Sequence, residues 1–232
     1  MVRYYDQRGC GRSPVSPDVS LDWHCHLDDL RHLLDFWGIE KAVLIGHSWG
    51  ALLSLLLASR YPERIDRLVL VAPASITSGD RNDFLERLES RAREMGLIEA
   101  QRELIDSGLR RSDPEEFRRR AFELTLAPYL KEARIPNGLL PYGIAHRVRE
   151  AVWRSLGEYD FTEEISKVSV PVLMIHGEFD IIPLSSSQQI ANSVGARLEV
   201  FEDSGHMPFF EEYERFLNTV GAFLPAEELV ND

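Results

Sequence analysis

Short apolar runs that alternate with helical patterns are the feature that most constrains the fold of this chain. The apolar runs are KAVLIG (41–46), RLVLVAP (67–73), VPVLMIHG (170–177) and RLEVFE (197–202). The first three are continuous and contain branched residues, which is typical of parallel strands that are buried on both faces. VRYY (2–5) is rich in strand-forming residues and is predicted as a further short strand.

The segments between these runs carry helical signals. Leu27, Leu30 and Leu34 recur at helical spacing, and Gly38 follows them as a stop signal. Helices are predicted over 22–37, 49–62, 182–195 and 212–224. This alternation predicts an α/β fold in which helices cover both faces of a mostly parallel sheet.

Residues 79–165 are the exception, because they carry helical patterns and no convincing strand. Within them, SDPE predicts a helix start with Ser112 as N-cap and Glu115 three residues later. We expect a helical cap over 79–165, above the carboxyl edge of the sheet, and a core domain formed by 1–78 and 166–232. The cap aromatics are expected to be core residues: Phe122, Tyr129, Tyr142, Trp153 and Phe161.

The strand at 41–46 ends in G-H-S-W-G (46–50), and a helical pattern follows at once. In this context G-x-S-x-G predicts a nucleophile elbow, a turn so tight that its flanking positions favour glycine. Ser48 is therefore the candidate nucleophile, and the Trp49 backbone N–H is the candidate oxyanion donor at the helix start. The alternative is an ordinary serine in a tight strand–helix turn.

A nucleophilic serine needs a base that is oriented by a third group, in the chain order Ser, Asp or Glu, His on this scaffold. Asp180 follows the strand at 170–177, and His206 follows the strand at 197–202. Both are expected at the same sheet edge as Ser48, with His206 as the base and Asp180 as its orienting partner. Taken singly, Asp180 could be a helix cap and His206 a loop histidine. His176 is a rival base, but its position within a strand favours a structural role.

Composition excludes several partner classes. The chain has 26 basic and 38 acidic residues, a net charge of −12, which disfavours nucleic acid and anionic membranes. The longest apolar run, 51–58, is too short to span a bilayer. Cys10 and Cys25 are too few for a disulfide scaffold, so we predict a cytoplasmic protein.

No cofactor or metal is expected. R-G-C-G-R-S (8–13) lacks the third glycine of a dinucleotide-binding loop, and Pro14 follows where a helix should continue. The histidines of H-C-H (24–26) would point apart on a helix, and no further ligands have suitable spacing.

With these motifs, the sequence resembles the α/β-hydrolase superfamily and, within it, the proline iminopeptidases. The matching stretches are YDQRGCGRS (5–13), GHSWGALL (46–53), YPERIDRLVLVAP (61–73), PVLMIHGEFDIIP (171–183) and DSGHMPFFEE (203–212). The resemblance covers 2–76 and 168–224, and the helical middle matches only as a cap of the right kind and place.

The resemblance also implies features that this sequence lacks. In the family, the DQRG segment follows a fourth strand, and an earlier third strand lies between the fourth and fifth. An HGGPG-like loop at the end of that third strand gives a second oxyanion N–H. We therefore expect an N-terminally incomplete hydrolase that is weakly active or inactive alone.

The expected function is that of a serine hydrolase acting through an acyl-enzyme on small molecules or short peptides. The resemblance implies a proline iminopeptidase-like aminopeptidase. A carboxylesterase on small apolar esters is the alternative enzyme, and a non-catalytic α/β-hydrolase-like protein is the alternative class. Cap acids could hold a substrate ammonium group, but no motif marks out Glu123, Glu132, Glu150 or Glu158. The sequence does not assign an oligomeric state.

Overall fold

The computed structural model describes residues 1–132 and 145–225 of the 232-residue chain. Its sheet has four strands in the order β1-β2-β3-β4, and every neighbouring pair is parallel. The strands are β1 (Ala42–His47), β2 (Ile65–Val71), β3 (Val172–Gly177) and β4 (Arg197–Phe201). All four lie within the predicted runs or within two residues of them, so the prediction of a mostly parallel α/β fold is confirmed.

Helices flank the sheet and follow most of the strands. They are α1 (Trp23–Phe36), α2 (Trp49–Arg60), α3 (Ser78–Glu94), α4 (Leu97–Asp106), α5 (Leu109–Ser112), α6 (Pro114–Leu126), α7 (His146–Leu156), α8 (Thr162–Ile165), α9 (Leu184–Val194), α10 (Pro208–Glu211) and α11 (Tyr213–Phe223). Short 3-10 turns occupy Pro62–Arg64 and Ala127–Tyr129. None of the helices in the described ranges is long and apolar enough to cross a membrane.

The two faces of the sheet bury two separate clusters, because successive strand residues point to opposite sides. In β2, Leu68 and Leu70 belong to the cluster that contains the leucines of α2. Val69 and Val71 belong to the other cluster, which contains Val220 of α11. Residues 51–58 of α2 are all buried, as expected of a helix that is apolar on all sides.

The prediction of a strand at 2–5 is wrong. Residues 1–7 form no strand, and Val2 and Tyr4 are 72% and 90% exposed. Strand propensity measures how well a side chain fits a half-buried pleated surface, and these side chains meet no such surface. No described strand pairs with the outer edge of β1, where Ile45 is 55% exposed.

The prediction that Ser112 caps a helix is wrong by one residue. Ser112 ends α5, and Asp113 is the N-cap of α6, since its Oδ1 accepts a hydrogen bond from Glu116 N at 3.1 Å. Pro114 explains the shift, because the residue before a proline is driven out of helical backbone. Asp113 has the non-helical angles φ −146° and ψ 82°, as a cap requires.

Helices α3 to α7 lie between β2 and β3 in the chain, where the sequence predicts a helical cap. Phe122 and Phe161 are buried as expected, whereas Tyr129 and Trp153 are only partly buried. Tyr142 lies outside the described residues. The division into a core and a cap domain stays a prediction.

Candidate active site

Ser48 lies in the turn between β1 and α2 with φ 54° and ψ −116°. A positive φ is uncommon for a residue with a side chain and costs of order 1 kcal/mol or more. Two main-chain hydrogen bonds hold the strained residue: Ser48 N donates to Val71 O at 2.9 Å, and Ser48 O accepts from Ala74 N at 3.1 Å. The turn is therefore fixed to the end of β2.

The two glycines that flank this turn are not equivalent. A Cβ on Gly46 would overlap the main chain of Gly50 and Ala51, so this position admits only glycine. A Cβ on Gly50 would meet nothing within 4 Å outside its own helix. The expectation that both flanks need glycine is therefore wrong for Gly50.

Trp49 begins α2 directly after Ser48. The N–H of the first helical residue has no acceptor within the helix, and the helix dipole favours negative charge beside it. The indole Nε1 donates to Gln7 Oε1 at 3.2 Å, and the indole lies 5.9 Å from the Trp153 ring. Gln7, which precedes the glycine-containing turn, and Trp153 of α7 therefore border the Ser48 turn.

His206 and Asp180 meet at the carboxyl edge of the sheet. His206 Nδ1 lies 2.9 Å from Asp180 Oδ2 and 3.0 Å from Oδ1, and the two side chains are 5% and 0% exposed. Asp180 Oδ1 also accepts from Ile182 N at 2.9 Å. Burial pushes the pKa of Asp180 up, but the charge and hydrogen bond of His206 outweigh it, and the pKa lies below its ordinary value. An ionised Asp180 requires a proton on Nδ1, which leaves Nε2 as the acceptor.

Ser48 follows β1, Asp180 follows β3 and His206 follows β4, all at the carboxyl ends of parallel strands. Within the described ranges, the His206 ring hydrogen-bonds Asp180, and no hydrogen bond joins it to Ser48 Oγ. Such nucleophile–base bonds are often long before substrate binds and tighten in the reacting complex.

The main chain of His206 is held by Tyr129, which the sequence predicted only as a core aromatic, and by His47, which had no predicted role. His206 N donates to Tyr129 O at 2.7 Å, and His47 Nε2 lies 2.8 Å from His206 O. Burial and the nearby His206 lower the pKa of His47 to about 3, so its imidazole is neutral and Nε2–H donates to the carbonyl. The position of His47 inside G-H-S-W-G is the signal that could have identified it.

His176, the rival base, is 1% exposed in β3. Its Nδ1 lies 2.9 Å from Ser187 Oγ and 4.0 Å from Asp180 Oδ2. Burial lowers its pKa, which favours the neutral ring. His176 therefore lies behind Asp180, within the protein.

Two carboxylates after His206 organise its loop. Neither had a role predicted from the sequence. Glu212 Oε2 accepts from Asp203 N at 3.0 Å and from Ser204 Oγ at 2.7 Å. Glu211 accepts three main-chain N–H groups, from Lys131, Gly205 and Met207. Burial raises the pKa of Glu211, and these three donors offset part of the rise.

The chain offers little to a metal or a dinucleotide. In residues 1–132 and 145–225, no group of three or more His, Cys, Asp or Glu side chains could hold a metal ion. The turn at 8–13 is closed by its own main chain, and the Asp6 carboxylate lies against Gly11 and accepts from Arg12 N at 2.9 Å. A carboxylate at this place would repel a phosphate.

Comparison with known proteins identifies the family. The sequence model of the alpha/beta hydrolase fold family matches residues 2–213. The chain belongs to this family. A proline iminopeptidase of Saccharolobus solfataricus is 28% identical to this α/β hydrolase, and the alignment covers 96% of the chain and 75% of the relative. A proline iminopeptidase of Lactobacillus crispatus is 25% identical, with 95% and 78% covered.

Solved structures of α/β hydrolases superpose on this chain. The crystal structure of proline iminopeptidase from Mycobacterium smegmatis has a TM-score of 0.68 at 22% identity, covering 99% of this chain and 81% of that one. An esterase from Exiguobacterium antarcticum has a TM-score of 0.66 at 20% identity, covering 94% and 79%. At these identities the superpositions show a shared fold, while the family match and the sequence relatives identify a hydrolase enzyme.

Proposed function

We propose that this α/β hydrolase is a serine hydrolase that works through an acyl-enzyme. The hydrogen bond between Asp180 and His206 carries the proposal, because it fixes a base at the sheet edge where the strained Ser48 follows β1. With its Nδ1 proton held by Asp180, the His206 ring presents Nε2 as the proton acceptor.

In the proposed reaction, Ser48 Oγ attacks the acyl carbon while His206 Nε2 takes the hydroxyl proton. His206 then returns that proton to the leaving group, and the acyl-enzyme forms. Water deprotonated by the same nitrogen releases the acid and restores Ser48. Asp180 keeps the ring oriented and stabilises its charged form, and the Trp49 N–H faces the oxyanion.

We propose a small peptide or amide with an N-terminal proline or apolar residue as the substrate. The support is the sequence relatives named proline iminopeptidases. The cap carboxylates give little support to a site for a substrate ammonium group. Glu123 is paired with Arg119, and Glu158 accepts a hydrogen bond from Ser78. Hydrolysis of small apolar esters is the second candidate, favoured by the superposition on the Exiguobacterium antarcticum esterase.

A fluorophosphonate probe with the Ser48→Ala variant as control tests the serine. We expect rapid labelling of the wild-type chain, an adduct located at Ser48 by mass spectrometry, and no labelling of the variant. A folded wild-type chain that resists the probe would contradict the proposal and favour the non-catalytic alternative.

A substrate pair separates the two enzyme candidates. A proline amide and a short acyl ester, each with the same chromogenic leaving group, are compared at equal concentration. Faster release from the proline amide supports an aminopeptidase, and release from the ester alone supports an esterase.

A further inference from the structure

Glu211 lies at the end of α10, five residues after His206, and its carboxylate is the meeting point of two segments. Glu211 Oε2 accepts from Gly205 N at 2.9 Å and from Met207 N at 3.2 Å, the two N–H groups that flank His206. Glu211 Oε1 accepts from Lys131 N at 2.7 Å, two residues after the last turn of the cap helices. One carboxylate therefore holds both segments.

The same two segments also touch through their main chains. His206 N donates to Tyr129 O at 2.7 Å. A Cβ on Gly205 would lie 2.6 Å from Tyr129 O and 2.8 Å from Lys131 N, so only a glycine allows this approach. The loop around His206 and the segment 129–131 are thus in contact at several adjacent residues.

A cap helix holds the segment 129–131 from its other side. Arg91 of α3 donates through Nη2 to Leu130 O at 2.7 Å and through Nη1 to Phe179 O at 3.2 Å. Phe179 immediately precedes Asp180. Arg91 therefore bonds the segment 129–131 to the loop that carries Asp180. The same segment is bonded to the loop that carries His206.

We propose that Glu211 is a positioning residue: its carboxylate fixes the His206 loop against segment 129–131, so that the place of the cap determines where the imidazole points. The catalytic consequence rests on the proposed serine hydrolase function. The bonding pattern also explains why a carboxylate is required, since only a group with two acceptor oxygens and no donor can receive three N–H groups.

The variants Glu211→Gln and Glu211→Ala test this role, because they remove different numbers of the three hydrogen bonds. Glutamine keeps one acceptor oxygen and turns an amide donor toward N–H groups on one side, so it loses either the cap bond or the loop bonds. Alanine loses all three. We expect kcat to fall by about tenfold in the glutamine variant and by about 10² in the alanine variant, with KM within threefold, because misplacing a catalytic group by about 1 Å can cost 10²-fold.

Two controls separate positioning from general loss of stability. Glu214→Gln changes an exposed acid three residues away and should leave kcat unchanged. Ile65→Val removes a methyl group from a fully buried residue at the amino end of β2, opposite the candidate site. Equal losses of kcat in Ile65→Val and Glu211→Ala, at equal thermal stability, would overturn the proposal.

The tautomer of His206 gives a readout that does not need turnover. Long-range ¹H–¹⁵N correlations of histidine-labelled protein report which ring nitrogen carries the proton. We expect the Nδ1–H form in the wild-type chain and a mixture with Nε2–H in Glu211→Ala. A wild-type chain that neither labels nor turns over would refute the serine hydrolase while leaving this test in place, and a tautomer population unchanged by Glu211→Ala would refute the role of Glu211.

Discussion

The turn that carries Ser48 and the loop that carries His206 reach the same sheet edge by different means. The Ser48 turn is held by main-chain bonds to Val71 and Ala74 and by the close approach of Gly46 to Gly50. The His206 loop is held by side chains as well as by main-chain bonds: Asp180 contacts it from the loop after β3, and Glu211 from α10, which follows the loop directly.

The two regions differ in how much of their structure a local stretch of sequence indicates. The Ser48 turn is marked by the five consecutive residues G-H-S-W-G, so it can be recognised in the sequence, and a single added methyl group is expected to disturb it. The His206 loop is specified by contacts with 129–131, Asp180 and His47, which are up to 159 positions away. We therefore expect the turn to be sensitive to shape and the loop to be sensitive to charge and hydrogen bonding.

Asp180→Asn is expected to have the largest effect on the loop. Asparagine can keep the geometry, but it can present its NH₂ to Nδ1 and thereby favour the wrong tautomer of His206. The expected fall in kcat is about 10⁴-fold with little change in KM. Single-turnover kinetics measure it, and a fall below tenfold would show that His206 does not depend on this partner.

Gly46→Ala and Gly50→Ala form a matched pair in the turn. The first places a Cβ on the main chain of Gly50, so we expect the free energy of unfolding to drop by about 3 kcal/mol or more. The second meets open space and replaces a helical glycine, so stability should stay the same or rise by up to about 1 kcal/mol. Urea denaturation compares them, and similar losses in both would contradict the asymmetry.

His47 joins the two regions, because it lies in the turn and donates to the loop. Burial holds its pKa near 3, so between that value and about 6.5 the unfolded chain binds a proton that the folded chain does not. The folded chain therefore becomes less stable as the pH falls. His47 contributes about 2 kcal/mol to the loss of unfolding free energy between pH 7 and pH 5. Denaturant melts of the wild-type chain and of His47→Gln at both pH values measure this contribution.

Glutamine keeps an amide donor for His206 O but does not titrate. Between pH 7 and pH 5, the loss of unfolding free energy should therefore be smaller in His47→Gln than in the wild-type chain, by the contribution of His47. The remaining loss is assigned to His26 and His176, whose pKa values are also lowered by burial. An identical loss in both proteins would show that His47 takes up its proton in the folded chain.

Ser204→Ala is expected to have the smallest effect. It removes the bond from Ser204 Oγ to Glu212, while Glu212 keeps its bonds to Asp203 N and Arg215. Loss of one hydrogen bond whose acceptor stays satisfied should cost about 1 kcal/mol of stability. Ser193→Ala, on the exposed side of α9, is the control, and an equal cost in both would remove Ser204 from the loop's support.

The contrast between turn and loop also explains what the sequence could predict. Three continuous apolar runs and the run RLEVFE predicted the four strands, and local spacing predicted the helices and the position of Ser48. Asp180 and His206 could be proposed because each follows a predicted strand. The support given by Tyr129 and Glu211 could not be predicted, since nothing in a local pattern shows which residues a loop will contact, whereas His47 is marked by its position inside G-H-S-W-G.

Two of the wrong local predictions, the strand at 2–5 and the Ser112 cap, have the same physical origin. VRYY at 2–5 has strand propensity, but a strand forms only where a neighbouring strand accepts its hydrogen bonds. Ser112 has the right spacing to Glu115 for a capping box, but Pro114 moves the helix start to Asp113. In both cases the residues have the expected local preference, but their surroundings override it.

The bonds between 129–131 and the His206 loop limit how freely the helices between β2 and β3 can be exchanged. Recombination that replaced α3 to α6 with the helices of another hydrolase would bring a new substrate surface, but it would also remove the Arg91 guanidinium. A chimaera that retains Arg91 and the stretch from Tyr129 to Lys131 would keep the contacts to the loops that carry Asp180 and His206. The useful crossover points for such recombination therefore lie inside the helical region rather than at its borders.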